Sequence, residues 1–336
     1  MTFRRILTRI ALTVEFLVLV SPAALGAVTE GGGSFFEAQA LMQSGKWAEA
    51  VIILRSVLEE RPRFLSAQIQ LASALVRLER RGEALADLNR WISASQGVPR
   101  EQLITRVKTL SRIFLGQKTL QTYLDGVQLL NDGKKVEARS KFSQILDKER
   151  DNFEVLLRLG QTFVLEADYD SASERLRSAV QLNPYEPTGH LWLGRALFNK
   201  GETQLGLEEL KAGKAGLPDS EVASVWLAEA LSATGDRQAA VSLLEKDFTS
   251  DPTRVLTLVY LGKERIESFP FDLPQMQRAK KNLESARELL KEPKALGISP
   301  SEGELSVHIF QSEDLMKEIA NLLHSADDRL TRMGVK

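Results

Sequence analysis

Three histidines, His190, His308 and His324, are the chain's whole stock of imidazole, and there is no cysteine. Metal sites need His, Cys or carboxylate ligands at close spacing, typically i and i+3 or i+4 on a helix. The three are far apart, and no second histidine stands at i+3 or i+4 from any of them to complete a ligand set, so each reads as an ordinary surface or interface residue. The missing thiols remove cysteine nucleophiles, zinc thiolate sites and disulfides together. Adjacent carboxylates occur at Glu59-Glu60, Glu208-Glu209 and Asp327-Asp328, in polar surroundings where solvation explains them. No phosphate loop, dinucleotide fingerprint, nucleophile elbow or zinc-helix motif is present. The sequence therefore predicts no catalytic residues, no metal and no cofactor.

The residue types that do recur at fixed spacing are those of recognition. Trp192, Trp226 and Tyr260 stand 34 residues apart, with Tyr123 near the same register, and Arg195, Glu229 and Lys263 follow each of the three at i+3. Large rings flanked by mixed charge make a peptide-binding stripe if they face a groove. The same rings make a structural spine if they pack between neighbouring elements.

A fixed period points to repeated elements as the frame that holds this stripe. Small residues mark it at Ala38 and Ala72, then at Gly126, Gly160, Gly194, Ala228 and Gly262. Twelve residues after the first six of these comes a second small residue, at Ala50, Ala84, Ala138, Ala172, Gly206 and Ala240. Four further on comes a large apolar one: Leu54, Leu88, Phe142, Leu176, Leu210 and Leu244. Gly or polar clusters separate the small residues of each pair, and Pro62, Pro184, Pro218 and Pro252 close four units. Helix, short turn, helix, short turn is the pattern these signals specify. The small residues are expected where helix backbones approach, and the large ones where they fill the remaining space.

The period, the Leu159-Gly160, Leu193-Gly194 and Leu261-Gly262 pairs, the later Ala and the closing Pro resemble tetratricopeptide repeats. The best-matching units are 153–186 and 187–220, with looser ones at 31–64, 65–98, 119–152, 221–254 and a stretched 255–288. The early tryptophan of that family is missing from its usual place in every unit. The resemblance implies an all-α, right-handed superhelical solenoid whose first helices line a concave side. It also implies a protein or peptide partner held in that groove, by Tyr123, Trp192, Arg195, Trp226, Glu229, Tyr260 and Lys263. The family's clamp for C-terminal carboxylates is not carried over, because the corresponding places hold mostly Leu, Val, Gln and Trp.

Three departures from the period set the expected organisation. Ala72 to Gly126 is one period plus 20 residues, and the extra piece at 99–118 carries Leu103, Val107, Leu110 and Phe114 at helical spacing beside Arg100, Arg106, Lys108 and Arg112. Because consecutive helices alternate direction, one extra helix predicts a break between an N-terminal two-repeat module, 31–98, and a C-terminal array of about five repeats, 119–290. Ser268 to Pro274 adds five residues to the last turn and carries Phe269 and Phe271, which either form a docking knob or tuck under the loop. After Pro293 and Pro300, Leu315, Ile319, Leu322, Ala326 and Leu330 stripe a closing helix within 301–332. Gly206 and Gly213 stand where alanine favours helix, an expected loss of roughly 0.5–1 kcal/mol each.

The chain begins with Arg4, Arg5 and Arg9, an apolar run from Ile10 to Val20 and a small-residue exit through Ala27. That order predicts a secretory signal peptide at 1–27, cleaved after Gly26 or Ala27. No cysteine follows for a lipid anchor, so the mature chain is expected as an exported, periplasmic or secreted protein. Its 41 basic and 44 acidic side chains lack the basic footprint of nucleic-acid binding; membrane contact through the inserted helix is allowed by its basic residues but not required. The reading reached is a non-enzymatic interaction scaffold or assembly factor of the cell envelope. An envelope enzyme or glycan-binding accessory that uses the repeats as a frame is the alternative.

Overall fold

Alternating helix-formers and turn signals produce sixteen helices in the computed structural model, which describes residues 32–291 and 312–335. The expected signal peptide, Pro293, Pro300, His308 and residues 301–311 lie outside the described residues. The helices are α1 (Gly32–Gln43), α2 (Trp47–Glu60), α3 (Leu65–Arg77), α4 (Arg81–Ser93), α5 (Gly97–Leu110), α6 (Gln117–Asn131), α7 (Lys135–Leu146) and α8 (Phe153–Leu165). They continue as α9 (Tyr169–Leu182), α10 (Pro187–Lys200), α11 (Thr203–Gly216), α12 (Glu221–Ala233), α13 (Arg237–Ser250), α14 (Val255–Ser268), α15 (Leu273–Leu289) and α16 (Ser312–Arg332).

One turn joins the two helices of six repeats, and its geometry explains its residues. Seven positions after the first small residue of each, the backbone turns left-handed: at Gly45, Gly133, Gly201 and Gly235, with φ between 77° and 95°. Glu79 and Ala167 hold the same place at φ 60° and 58°. An L side chain in this conformation costs about 1–2 kcal/mol, so the turn is imposed on these two residues by the packing of the flanking helices. Aspartates then start the second helices of two repeats: Asp168 accepts from the Ser171 amide and Asp236 from the Ala239 amide.

The chain divides into two compact units. The first comprises residues up to Gln121 together with Lys148–Glu154, and the second Thr122–Asp147 with Val155 onward. In the first unit α1–α4 form two helical hairpins, and α5 packs on both α3 and α4. Leu103, Val107 and Leu110 are its buried stripe. The inserted helix thus ends at Leu110, and Phe114 lies beyond it in the following turn. Arg106 donates to the Ser73 hydroxyl, and Arg112 faces Glu154 at 3.7 Å and the Phe153 ring at 5.3 Å. Half of the expected basic face is therefore engaged within the unit.

A buried ion pair ties Lys148–Glu154 to the rest of the first unit. The Arg81 guanidinium meets Glu149 at 3.1 Å, each about 1–2% exposed, and also donates to the Ile113 carbonyl. Glu149 accepts from the Leu115 amide at 3.0 Å and the Thr119 hydroxyl at 2.5 Å, while Asp151 accepts from the Gly82 amide at 2.7 Å. Each charge faces its opposite and has further hydrogen bonds, which is the condition for burying one at all, although the Arg81 Nε has no partner.

In the second unit α9–α15 stack as successive hairpins, and α16 packs on both α14 and α15. Its buried stripe is Leu315, Ile319, Leu323, Ala326 and Leu330; Leu323 rather than Leu322 faces inward. The last helix of each unit thus has the same relation to the final hairpin before it. Leu103, Arg106 and Val107 of α5 correspond to Leu315, Glu318 and Ile319 of α16, and Glu318 reaches Lys263 at 3.8 Å much as Arg106 reaches Ser73. The odd helix between the repeats is a cap for the first two.

Candidate functional site

The small residues lie where the helices cross. Ala38, Ala50, Ala72, Ala84, Ala138, Ala172, Ala228 and Ala240 have no exposed surface. At Gly160 an added Cβ would sit 2.4 Å from Leu176 Cγ; at Gly126 it would sit 2.8 Å from Phe142, and at Gly194 2.7 Å from Leu210. In each case the neighbour is sixteen residues on. At Gly262 it is Leu283, twenty-one on, because of the five residues added in the Ser268–Pro274 turn.

The α10–α11 hairpin is closer still. A Cβ at Gly206 would lie 2.8 Å from the Phe198 amide nitrogen, and one at Gly213 2.8 Å from that of Leu191. Backbone meets backbone here. Gly206, expected both to allow close approach and to weaken the helix, and Gly213, expected only to weaken it, are more than poor helix-formers: their lack of a side chain is what lets α11 dock.

The aromatic stripe runs through the interior of the second unit. Trp192 and Trp226 have no exposed surface and meet edge to face, ring centroids 5.1 Å apart; Tyr260 is 7% and Tyr123 9% exposed. Burial pushes the Tyr260 phenol far above its ordinary pKa, with Glu229 and Glu318 adding to the effect. Neither indole N–H has a protein partner, so what the tryptophans contribute is area and ring contact. The companion charges are spent internally as well. Arg195 pairs with Glu229 and lies 5.2 Å over the Trp226 ring, while Lys263 lies 5.5 Å over Tyr260. Tyr123 accepts from Arg158 at 3.2 Å and packs on Phe142. Of the two roles open to these rings, the structure gives them the one between repeats. They offer no surface, and the groove contact expected of Trp192, Trp226, Tyr260 and Tyr123 is corrected accordingly.

The reason lies in their helices. Of α12, Val222 through Ala228 are all buried, as are Val255 through Gly262 of α14. A helix apolar on every side belongs inside.

The same positions are open in the first unit. In α3 they are Ser66, Ile69, Gln70, Ser73 and Arg77, a face at i, i+3, i+4, i+7 and i+11 that is half-buried to exposed. Arg77 lies 5.7 Å over the Trp47 ring. In α1 the place of the tryptophans is taken by Phe36, 55% exposed, with Gln39 half-buried one turn on. Phe35 next to it packs its ring at a tilt against Phe64, centroids 4.7 Å apart, and anchors the helix that carries Phe36. Arg106 of α5 borders the face; desolvation lowers its pKa, and its Nε has no partner.

Two further polar clusters are built for holding helices rather than for chemistry. Lys214 donates to the Pro218 carbonyl at 2.8 Å, to the Ser220 carbonyl at 3.3 Å and to the Ser224 hydroxyl, and lies 3.5 Å from Asp247, so it links α11, the next turn, α12 and α13. Burial lowers its pKa, as nucleophile activation would require, but Ser224 is wholly enclosed. The second cluster, around His190, joins α10 to α11. In the expanded turn, Phe269 is half-buried and Phe271 is 90% exposed, so one ring tucks and one projects. Among the described residues no helix is long and apolar enough to cross a membrane.

Helical hairpins of one period, small residues at each crossing and a capping helix define a helical-repeat protein of the kind that serves as an interaction scaffold. Residues 37–99 and 157–221 match the family model described as tetratricopeptide repeat. Those two stretches, rather more than a third of the chain, carry tetratricopeptide repeats. Among solved structures it is similar to MamA 41-end from Desulfovibrio magneticus RS-1, at 19% identity over 53% of this chain and 98% of that one, with a TM-score of 0.46. It is also similar to TTC0263, a thermophilic TPR protein of Thermus thermophilus, at 18% identity over 61% and 98% with a TM-score of 0.45. A third is YrrB, described as a TPR protein with an unusual peptide-binding site, at 14% identity over 54% and 91% with a TM-score of 0.42.

Proposed function

We propose that this protein is a non-enzymatic interaction scaffold of the cell envelope that binds a protein or peptide segment on the first-helix face of its N-terminal module. The observation that carries the reading is the half-buried to exposed state of first-helix positions that are largely enclosed in the second unit: Phe36 and Gln39 on α1, and Gln70, Ser73 and Arg77 on α3. An exposed ring, amide side chains and a cation on these two helices suit an extended segment, which needs an apolar contact and both donors and acceptors for its backbone. Export is supported by the order of Arg4, Arg5 and Arg9, the apolar core and the small-residue exit.

The test is site-specific photocrosslinking in cells, with a benzophenone amino acid at Phe36 and, in a control strain, at the exposed Leu205 of α11. A discrete adduct from position 36 that is lost with Arg77→Glu and absent from position 205 supports the reading. Equal labelling from both positions contradicts it. N-terminal sequencing of the recovered protein tests export in the same experiment: a start at Ala27 or Val28 is expected, and an intact Met1 would mean a retained leader.

A further inference from the structure

His190 sits in the first turn of α10, with both ring nitrogens against oxygen acceptors. Nδ1 lies 2.6 Å from Glu209 Oε2 on α11, and Nε2 lies 3.0 Å from the Pro184 carbonyl in the turn before α10. A neutral imidazole has one donor nitrogen and one acceptor nitrogen, so it satisfies only one of these contacts and sets a lone pair against oxygen at the other. The imidazolium, a donor at both nitrogens, satisfies both. We infer that His190 is a proton-dependent staple that fastens the α10–α11 hairpin and tunes its local stability with pH.

The hairpin it fastens is one that depends on docking. Gly206 and Gly213, inside α11, lower its intrinsic helicity relative to alanine. The helix holds because the close approach at Gly194, Gly206 and Gly213 brings it onto α10. The staple crosses between these helices, and through Pro184 it also joins the closing turn of the preceding repeat. His190 is only partly exposed, at 18%, so the pair is shielded more than a surface contact.

The charged groups on the elements packed against α10 leave Glu209 as the one that acts on the ring. On α9, Glu174 and Arg175 lie 3.6 Å apart, and Arg177 points to solvent. Of the groups on α12, Glu229 pairs with Arg195 and Glu221 accepts from the Thr257 amide. On α11, Glu208 and Lys211 are exposed and Lys214 faces Asp247. Glu186, which precedes α10, is 3.4 Å from the Thr188 hydroxyl. The Glu209 hydrogen bond raises the His190 pKa above its ordinary 6.5, against an opposing effect of burial. A raised folded-state pKa sets the sign: the stabilisation is complete below the unfolded-state pKa and is lost as pH rises through the folded-state value.

The experiment combines an NMR titration of the histidine rings with hydrogen exchange of the full chain across the same pH range. The His190→Gln spectrum assigns the His190 signals against those of His308 and His324. The expected result is a His190 midpoint above 6.5 that falls in Glu209→Gln. Protection of α11 amides, relative to those of α13, should decline as pH passes that midpoint in the wild type and stay flat in both variants. A wild-type midpoint at or below 6.5, or an α11 pH response that both variants retain, would overturn the inference.

Discussion

One stripe of the repeat behaves in opposite ways in the two units. Counted from the small residue at each helix crossing, Gln70 of α3 occupies the place of Trp226 in α12 and Tyr260 in α14, and Ser73 the place of Glu229 and Lys263. In the first unit these positions are half open. In the second they hold rings buried against each other and charges paired across successive first helices. Period alone assigns positions to a face of the helix; whether that face meets solvent depends on the residues around it. Ser66, Gln70, Ser73 and Arg77 leave α3 one polar face. Val222, Val225 and Trp226 leave α12 almost none.

Replacing Trp226 with alanine separates the two regions most sharply. Emptying that enclosed site should cost the second unit about 3–5 kcal/mol in chemical denaturation, while Phe36→Ala should stay within about 0.5 kcal/mol of wild type, as exposed sites do. A Trp226→Ala variant as stable as Phe36→Ala would return the ring to the surface. Gly160→Leu comes next, at about 3 kcal/mol, since the new side chain must displace Leu176 from a site already in contact. Glu174→Leu, on the exposed face of the following helix, is its control and should be close to neutral; similar melting temperatures for the two would contradict the register. The smallest effect tests the turn that both units share. Ala167→Gly and Glu79→Gly relieve a left-handed backbone and should each raise stability by up to about 1 kcal/mol. A loss of stability in either variant would mean that the turn is not under strain.

Much of this was legible in the residues. The small residues at 34-residue intervals, with large partners sixteen on, sufficed to specify hairpins, and the five added residues near Phe269 account for the Gly262–Leu283 contact. What the sequence left open was the role of the rings, groove stripe or spine between repeats. Trp192, Trp226 and Tyr260 recur at a fixed interval, which drew them together as a binding stripe, but the run Val222–Ala228 around Trp226 is apolar but for Ser224 and already argued for burial. The extra helix hid its purpose differently. Leu103, Val107 and Leu110 give it an inward face, yet only its packing on α3 and α4 shows that it ends the first module as α16 ends the second. The Arg81–Glu149 pair had no signal at all, because its partners stand 68 residues apart and outside the period.

Hydroxyl-radical footprinting of the unmodified protein, read residue by residue by mass spectrometry, puts the opposite roles of the two stripes to the most direct test. Tryptophan reacts faster than phenylalanine when both are free, so exposure and chemistry point in opposite directions here. The account predicts that Phe36 is oxidised readily while Trp192, Trp226 and Tyr260 are protected until the fold is lost. Rapid oxidation of Trp226 in the folded protein, with Phe36 protected, would contradict it.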